Sequence, residues 1–319
     1  MNILITGCAG FIGFSLCKYF SKFEDYNVIG LDNLNSYYDK KLKIDRLKII
    51  SKSIKFINAD ICDRKKIGQV IKSNKITACF HLAAQAGVRY SITNPDEFFN
   101  ANLEGFYNVI NQCRLNKVKY FFFASSSSVY GDSKKYPQKE TDRTDNPISF
   151  YAATKKANES VSFSFSKIYN MNITCLRFFT VYGPLGRPDM AFFNFANSIK
   201  KNKKIYLFNN GNNFRDYTYI DDVIFSIKSI FDKKIKSKLN NFEIINICSS
   251  NPIKTTKVIN IFEKIMKKKA KIEKVENALG DVKKTFGSNN RIKKYTKNKF
   301  TDVRTGITKY VKWFNEYYK

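Results

Sequence analysis

Between Asn2 and Asp32 the chain reads as an apolar strand, a glycine-spaced turn, a helix, a second apolar strand and an acid. Residues 2–6 suit a buried strand, and Gly7-x-x-Gly10-x-x-Gly13 follows at once. Residues 11–22 suit a helix, and Asn27-Val-Ile-Gly-Leu31 leads into Asp32-Asn33. Few folds accommodate that order. Glycines allow a tight turn and close backbone approach, while a helix starting there offers free amides and a positive dipole end to a pyrophosphate. Asp32, about 20 residues further on, sits where an acid accepts from the adenosine ribose hydroxyls. Its charge disfavours a 2′-phosphate, so the expected dinucleotide is NAD rather than NADP. The contacts expected from this stretch are Gly7, Gly10, Phe11, Ile12, Gly13, Asp32 and Asn33. Asp60 and Ile61 would lie under the adenine, although an Asp after a strand is as often a helix cap.

The pattern continues. Strands are expected at 54–58, 77–81, 118–123 and 172–177, with helices at 63–72, 94–115 and 148–168 between them. Strands alternating with helices imply an α/β fold, a Rossmann-like doubly wound parallel sheet. Such sheets bind ligands at the carboxyl ends of their strands, and Gly7, Asp32, Asp60, His81 to Gln85, Ser125 to Ser128 and Thr180 all fall there. After about residue 180 the alternation stops and an irregular region begins at Gly183-Pro184. A helix at 221–232 and a strand at 243–247 can return to the sheet, and helices near 254–268 and 303–318 would complete a smaller C-terminal α/β lobe. The expected division is 1–177 plus 218–249 for the NAD-binding domain, and 178–217 plus 250–319 for the substrate lobe.

Phe150-Tyr151-Ala-Ala-Thr-Lys155 carries the candidate chemistry. On a helix Tyr151 and Lys155 are four residues apart and share a face. A phenol with a pKa of about 10 is a poor base near neutrality, and an adjacent cation favours its phenolate. About 25 residues upstream, the apolar run Phe121-Phe-Phe-Ala opens into Ser125-Ser126-Ser127-Ser128-Val129-Tyr130-Gly131. A Tyr-x-x-x-Lys alone is most often a solvated helix face; the glycine loop, the serine run and this pair in one order are far more specific.

Together these motifs resemble the extended short-chain dehydrogenase/reductase family, over essentially the whole chain. The resemblance implies bound NAD and hydride chemistry. Tyr151 would be the base, Lys155 would lower its pKa and hold the nicotinamide ribose, and Ser126 would hydrogen-bond the reacting oxygen. His81-Leu82-Ala83-Ala84 and Asn102 match cofactor-contact positions, with His81 equally readable as a satisfied core histidine. Dehydratases of the family carry Asp-Glu after the catalytic serine, and sugar-acid decarboxylases tend to carry a Glu beside the valine. Ser127 and Ser128 offer no carboxylate, which argues against elimination and leaves epimerisation.

Three further segments, Ala86-Gly-Val-Arg89-Tyr-Ser91, Arg177-Phe-Phe-Thr180-Val-Tyr-Gly-Pro184 and Gly186-Arg187-Pro-Asp-Met-Ala191, are similar to the UDP-glucuronate 4-epimerase group of that family, as is Arg215-Asp-Tyr217. The implied substrate contacts are Arg89, Ser126, Ser127, Ser128, Tyr151, Thr180, Arg187, Arg215 and Asp281. Arg215 would face the pyrophosphate, a task that suits a planar guanidinium. The bland alternative for Arg89, Arg187 and Arg215 is surface arginine. Two segments depart from the group's pattern. Leu185 replaces a Trp, and Leu279-Gly-Asp-Val282 with Thr285-Phe-Gly-Ser288 replaces Pro-Gly-Asp-Val with Thr-Tyr-Ala-Asp. The resemblance also implies a homodimer through a four-helix bundle, for which 94–115 and 148–168 would serve, and a product used in polysaccharide biosynthesis. UDP-glucose 4-epimerase and UDP-glucuronate decarboxylase remain alternatives on the same scaffold. A catalytically idle NAD- or RNA-binding module is an alternative of another class.

The formal charge of +29 from 56 Lys and Arg against 27 Asp and Glu invites a nucleic-acid partner. The lysines are spread along the whole chain rather than gathered in one stripe, so no nucleic-acid partner is expected; a positive surface would still steer an anionic small substrate. The seven cysteines are scattered without a Cys-x-x-Cys, as suits buried thiols in a reducing cytoplasm. With one histidine, a histidine-based metal site is not expected. No stretch approaches the ~18 apolar residues of a membrane span, and the apolar run at Ile3 is too short for a signal peptide.

Overall fold

A computed structural model describes residues 1–237, 242–276 and 280–319. The chain divides into two compact units. The first comprises Met1–Gly131, Arg143–Arg177 and Phe231–Ile245, the second Asp132–Asp142, Phe178–Ile230 and Asn246–Lys319. Residues 132–142, 218–230 and 246–249 therefore group with the second unit, where the sequence pattern assigns them to the first.

The first unit opens with β1 (Asn2–Thr6), α1 (Phe11–Phe20), β2 (Asn27–Asp32), α2 (Lys40–Ile50), β3 (Lys55–Asn58), α3 (Arg64–Ser73) and β4 (Ala78–His81). Short helices α4 (Tyr90–Thr93) and α5 (Pro95–Phe98), a π-helical stretch (Phe99–Glu104) and α6 (Gly105–Leu115) lead to β5 (Tyr120–Ser126). Then come α7 (Phe150–Tyr169) and β6 (Asn172–Phe178). With β10 (Phe242–Ile247) these strands form a seven-stranded parallel sheet in the order β10-β6-β5-β4-β1-β2-β3, the expected Rossmann-like architecture. Its register sets Thr6 beside Leu31 on one side and His81 on the other. Both faces are covered, which is why β5 reads as an unbroken Phe run. Phe121 and Phe123 enter one core with Phe106, Val109 and Ile110 of α6. Phe122 turns to the other face, where it stacks on Phe80 at 4.8 Å and meets Phe231 edge-on. Each such buried phenylalanine contributes roughly 1.5–3 kcal/mol.

Two departures from the pattern have local causes. The helix expected across 94–115 is broken into α5, the π stretch and α6, because the extra residue per π turn brings Asn102 into the interior. Helix α2 went unannounced, since Lys40, Lys41, Lys43, Arg46 and Lys48 hide its periodicity; Asp39 caps it by accepting from Lys41 N.

The second unit is more ordered than its sequence suggested. It contains β7 (Thr180–Tyr182), α8 (Ala191–Lys200), β8 (Lys204–Phe208), β9 (Phe214–Tyr219), the first part of α9 (Ile220–Ser237), β11 (Pro252–Lys254), α10 (Thr255–Met266), β12 (Lys271–Val275) and α11 (Val303–Tyr317). These make a three-stranded sheet, β11-β9-β7, and a two-stranded one, β12-β8. Arg215-Asp216-Tyr217 is strand, not loop. Asp216 is the hub. Its carboxylate accepts from Ser249 Oγ at 2.7 Å and from the Ser249 and Gly287 amides at 3.1 Å. Burial pushes its pKa up to about 6 against those donors.

Among the described residues no helix is long and apolar enough to cross a membrane. The cysteines are free thiols, buried except for half-buried Cys62.

Candidate active site

The nucleotide corner assembles from the amino end of the chain. Gly7 N and Cys8 N donate to Leu31 O, so the turn after β1 hangs on the end of β2. Gly7 has φ of +72°, and a Cβ there would meet Ala83 N at 2.7 Å. A Cβ on Gly13 would stand 2.1 Å from Gly7 O. Both positions admit only glycine, and the resulting cradle at the start of α1 is the shape a diphosphate occupies. Asp32 is buried, accepting from Ala9 N at 3.0 Å and from Leu34 N at 2.9 Å. Its carboxylate thus spans the glycine turn and the segment after β2. Phe11 is buried in α1 and Ile12 is half-buried.

Asp60 is not a helix cap; Asp63 caps α3 by accepting from Lys66 N. Asp60 accepts from Cys62 N and from Asn33 Nδ2, both at 2.8 Å. Burial works to raise its pKa, but these two donors outweigh it and the pKa lies below the ordinary value. Ile61 points into the core. His81 proves to be a core residue: Nδ1 lies 2.8 Å from Thr6 Oγ1, between the rings of Phe106 and Phe121. Burial, with the nearby Lys155 charge, drops its pKa to about 3, so it stays neutral. The amides that follow are tied to β1, Leu82 N to Thr6 O and Ala83 N to Thr6 Oγ1, each at 3.2 Å. Ala84 is half-buried beside them. Asn102 spends its side chain inside the protein, accepting from Gln85 N and donating to Gln85 O and Thr154 Oγ1. It joins the segment after β4 to α7, one turn from Tyr151.

Ser149 caps α7 by accepting from Ala152 N, which starts the helix two residues before Tyr151. Tyr151 is half-buried with its ring edge-on to Phe98 at 6.0 Å. Lys155 Nζ lies 6.0 Å from the centroid of that ring and donates to Ala124 O on β5 at 2.9 Å. Only 4% of Lys155 is exposed, and burial pulls its pKa down to about 8. β5 ends in Ser126, whose Oγ accepts from Ser128 N and bonds to Ser128 Oγ, both at 3.1 Å. That bond starts a 3-10 turn over Ser127–Tyr130 and ties the Ser126 and Ser128 hydroxyls together at the strand end. The structure therefore places Ser126, Ser127 and Ser128 at the carboxyl end of β5, beside the part of α7 that carries Tyr151 and Lys155.

Beneath lies a pair that the motif reading missed. Glu159 Oε1 accepts from Ser125 Oγ at 2.6 Å and Arg177 Nε at 2.9 Å, and Oε2 from Arg177 Nη2 at 2.8 Å. Arg177 Nη1 also donates to Tyr130 OH at 2.9 Å. The signal was in the helix itself, where Tyr151, Lys155 and Glu159 repeat every four residues on one face.

The other expected contacts belong to both units. Arg89 is exposed at the start of α4. In the second unit Thr180 pairs with Tyr217 in the β7–β9 ladder. Arg187 is paired with Asp189 through two hydrogen bonds, its Nε at 3.0 Å from Oδ1. Arg215 Nη1 donates to Phe214 O and Lys283 O. Leu185 has φ of +60°, and Asp281 is half-buried. Leu279 lies outside the described residues.

Residues 3–248 match the model of the NAD dependent epimerase/dehydratase family. A UDP-glucuronate 4-epimerase of Arabidopsis thaliana is 39% identical across 100% of this chain and 77% of its own length. The crystal structure of UDP-glucuronic acid 4-epimerase from Bacillus cereus, in complex with UDP-glucuronic acid and NAD, superposes with a TM-score of 0.91 at 29% identity, over 100% of both chains. UDP-glucose 4-epimerase of Thermotoga maritima gives 0.89 at 25% identity, again over 100% of both. The chain belongs to the NAD dependent epimerase/dehydratase family.

Proposed function

We propose that this protein is a nucleotide-sugar 4-epimerase with resident NAD, interconverting UDP-glucuronate and UDP-galacturonate. One observation carries the reading: buried Lys155 reaches from the Tyr151 face of α7 to the strand end whose side chains are Ser126, Ser127 and Ser128. It supplies a base, a cation and neutral hydroxyls, with no carboxylate in the turn to assist elimination. The glycine cradle and Asp32 fit NAD, and Gly7, Gly10, Phe11, Ile12, Gly13, Asp32, Asn33, Asp60, Ile61, Leu82, Ala83 and Ala84 are its proposed surroundings, with Asn102 holding the loop among them. Bound there, NAD supplies a reversible hydride acceptor for C4 of the sugar.

Tyr151 removes the 4-hydroxyl proton and returns it after the sugar presents its other face. Lys155 keeps the Tyr151 oxygen anionic by charge. Ser126 donates to the reacting oxygen and holds it as its charge changes. A 4-keto uronate is a β-keto acid, prone to lose carbon dioxide when the breaking bond stands perpendicular to the carbonyl. Ser127, Ser128 and Thr180 are proposed to hold the carboxylate away from that orientation without supplying a proton. Arg89, Arg187, Arg215 and Asp281 are proposed for the rest of the nucleotide sugar.

UDP-glucose is the second substrate considered, on the likeness to the Thermotoga maritima enzyme. Proton NMR time courses with UDP-glucuronate and UDP-glucose separate the readings. UDP-galacturonate formed without added NAD and without a pentose product is expected. A pentose would mean that the serines do not protect the carboxylate, and turnover of UDP-glucose alone would move the assignment to neutral sugars.

We also infer a cytoplasmic homodimer feeding polysaccharide synthesis, joined through residues 94–115 and 148–168, where Phe99, Tyr107, Phe163 and Ile168 are exposed. Light scattering at the monomer mass would refute the dimer.

A further inference from the structure

The connection from β2 to α2, residues 33–39, is pinned along its length. Asn33 is tied to Asp60. Asn35 accepts from Lys43 Nζ through Oδ1 at 2.6 Å and through its carbonyl at 2.9 Å. Arg46 Nη1 donates to Tyr38 OH at 2.6 Å and to Ala9 O at 2.9 Å, joining this connection to the glycine turn itself. Lys43 and Arg46 are both buried on α2, together with Leu42 and Ile50. Burying an ammonium and a guanidinium is unfavourable unless hydrogen bonds compensate. A loop that merely linked a strand to a helix would need neither.

Tyr37 makes the far contact. Its ring centroid is 4.8 Å from that of Tyr90, and a Cβ on Gly87 would meet its hydroxyl oxygen at 2.7 Å. Residues 87 and 90 follow β4. In the sheet order β4-β1-β2 the middle strand is β1, whose carboxyl end carries the glycine turn. A segment that leaves β2 and touches the chain after β4 therefore straddles the diphosphate cradle.

We propose that residues 33–39 form a strap that keeps the dinucleotide on the enzyme between half-reactions, with Tyr37 and Tyr90 as its closing contact. The proposal rests on the reading of this protein as an NAD-holding epimerase. Epimerisation returns to the sugar the hydride it has taken, so the same cofactor molecule must stay through both halves. A cofactor that leaves after the first half strands a 4-keto sugar. Tyr37 and Tyr90 are positioning residues in this account, since neither touches the reacting atoms.

The test uses purified holoenzyme and follows exchange of bound NAD against added radiolabelled NAD in wild type, Tyr37→Ala, Tyr90→Ala and Tyr37→Phe. Both alanine variants approach the contact from opposite sides, so one that fails to fold leaves the other. Each is expected to exchange about tenfold faster, the effect of losing an aromatic pair. Turnover measured without added NAD should decay faster in both alanine variants than in wild type, and added NAD should restore it. Tyr37→Phe keeps the ring contact and should exchange at nearly the wild-type rate. Wild-type exchange in both alanine variants overturns the strap and leaves the epimerase reading intact. Wild-type enzyme that holds no NAD and turns over no sugar overturns both.

Discussion

Two buried cations in the first unit, Lys155 on α7 and Arg177 on β6, meet opposite fates. Both are nearly inaccessible, at 4% and 2% exposure. Lys155 is given a backbone carbonyl, and burial lowers its pKa to about 8. Burial works in the same direction on Arg177, but the Glu159 carboxylate reverses it and holds the guanidinium above its usual range. A buried carboxylate turns one cation into a permanent tie between β6, α7 and the strand end. The other donates to a backbone carbonyl, and among the described residues no carboxylate offsets its burial. Burial alone does not tell a structural charge from a reactive one; the partner does.

The sharpest way to break this comparison is to remove each cation's function. Lys155→Met, or Tyr151→Phe, should lower turnover by about 10²–10⁴-fold, the usual share of positioned acid–base chemistry. Lys155→Met should not lower the melting temperature, because it removes a desolvated charge. A large destabilisation measured by thermal unfolding would show that Lys155 is structural after all. Glu159→Leu should act oppositely, destabilising the fold by about 3–5 kcal/mol in urea titration, because Arg177 is left buried without its carboxylate. Glu159→Leu combined with Arg177→Met should recover most of that loss; failure to recover would locate the cost in packing instead.

The smallest effect is one of pH. The Lys155 pKa is depressed in the folded state, from 10.5 to about 8, so between those values the unfolded chain holds more protons. The penalty is full below pH 8 and is relieved as pH rises towards 10.5, a gain of at most about 3 kcal/mol from this group. Turnover should move the other way, falling above pH 8 as Lys155 loses its charge. Denaturant titrations compared with Lys155→Met, which should lack this component, check the sign.

The fold of the first unit was legible because its signals are local. Gly7, Gly10 and Gly13 constrain neighbouring backbone, Asp32 ends a strand of evident character, and Tyr151 and Lys155 are joined by one helical turn. The second unit hid its strands. Arg215-Asp216-Tyr217 reads as a polar loop, yet Asp216 lies inside, held by Ser249 and by Gly287, 71 residues away.

The amino-acid sequence by itself determined the strand–turn–helix cradle, the acid beside it, and the placing of Tyr151 and Lys155 on one helix face. Each depends on steric limits or helical period that act over a few residues. Only the tertiary structure decided that Asn102 and His81 are internal supports, that Glu159 locks Arg177, and that Tyr37 reaches Tyr90 across the glycine turn. Those outcomes depend on which distant groups share a desolvated space, and one chain read in order does not carry that information.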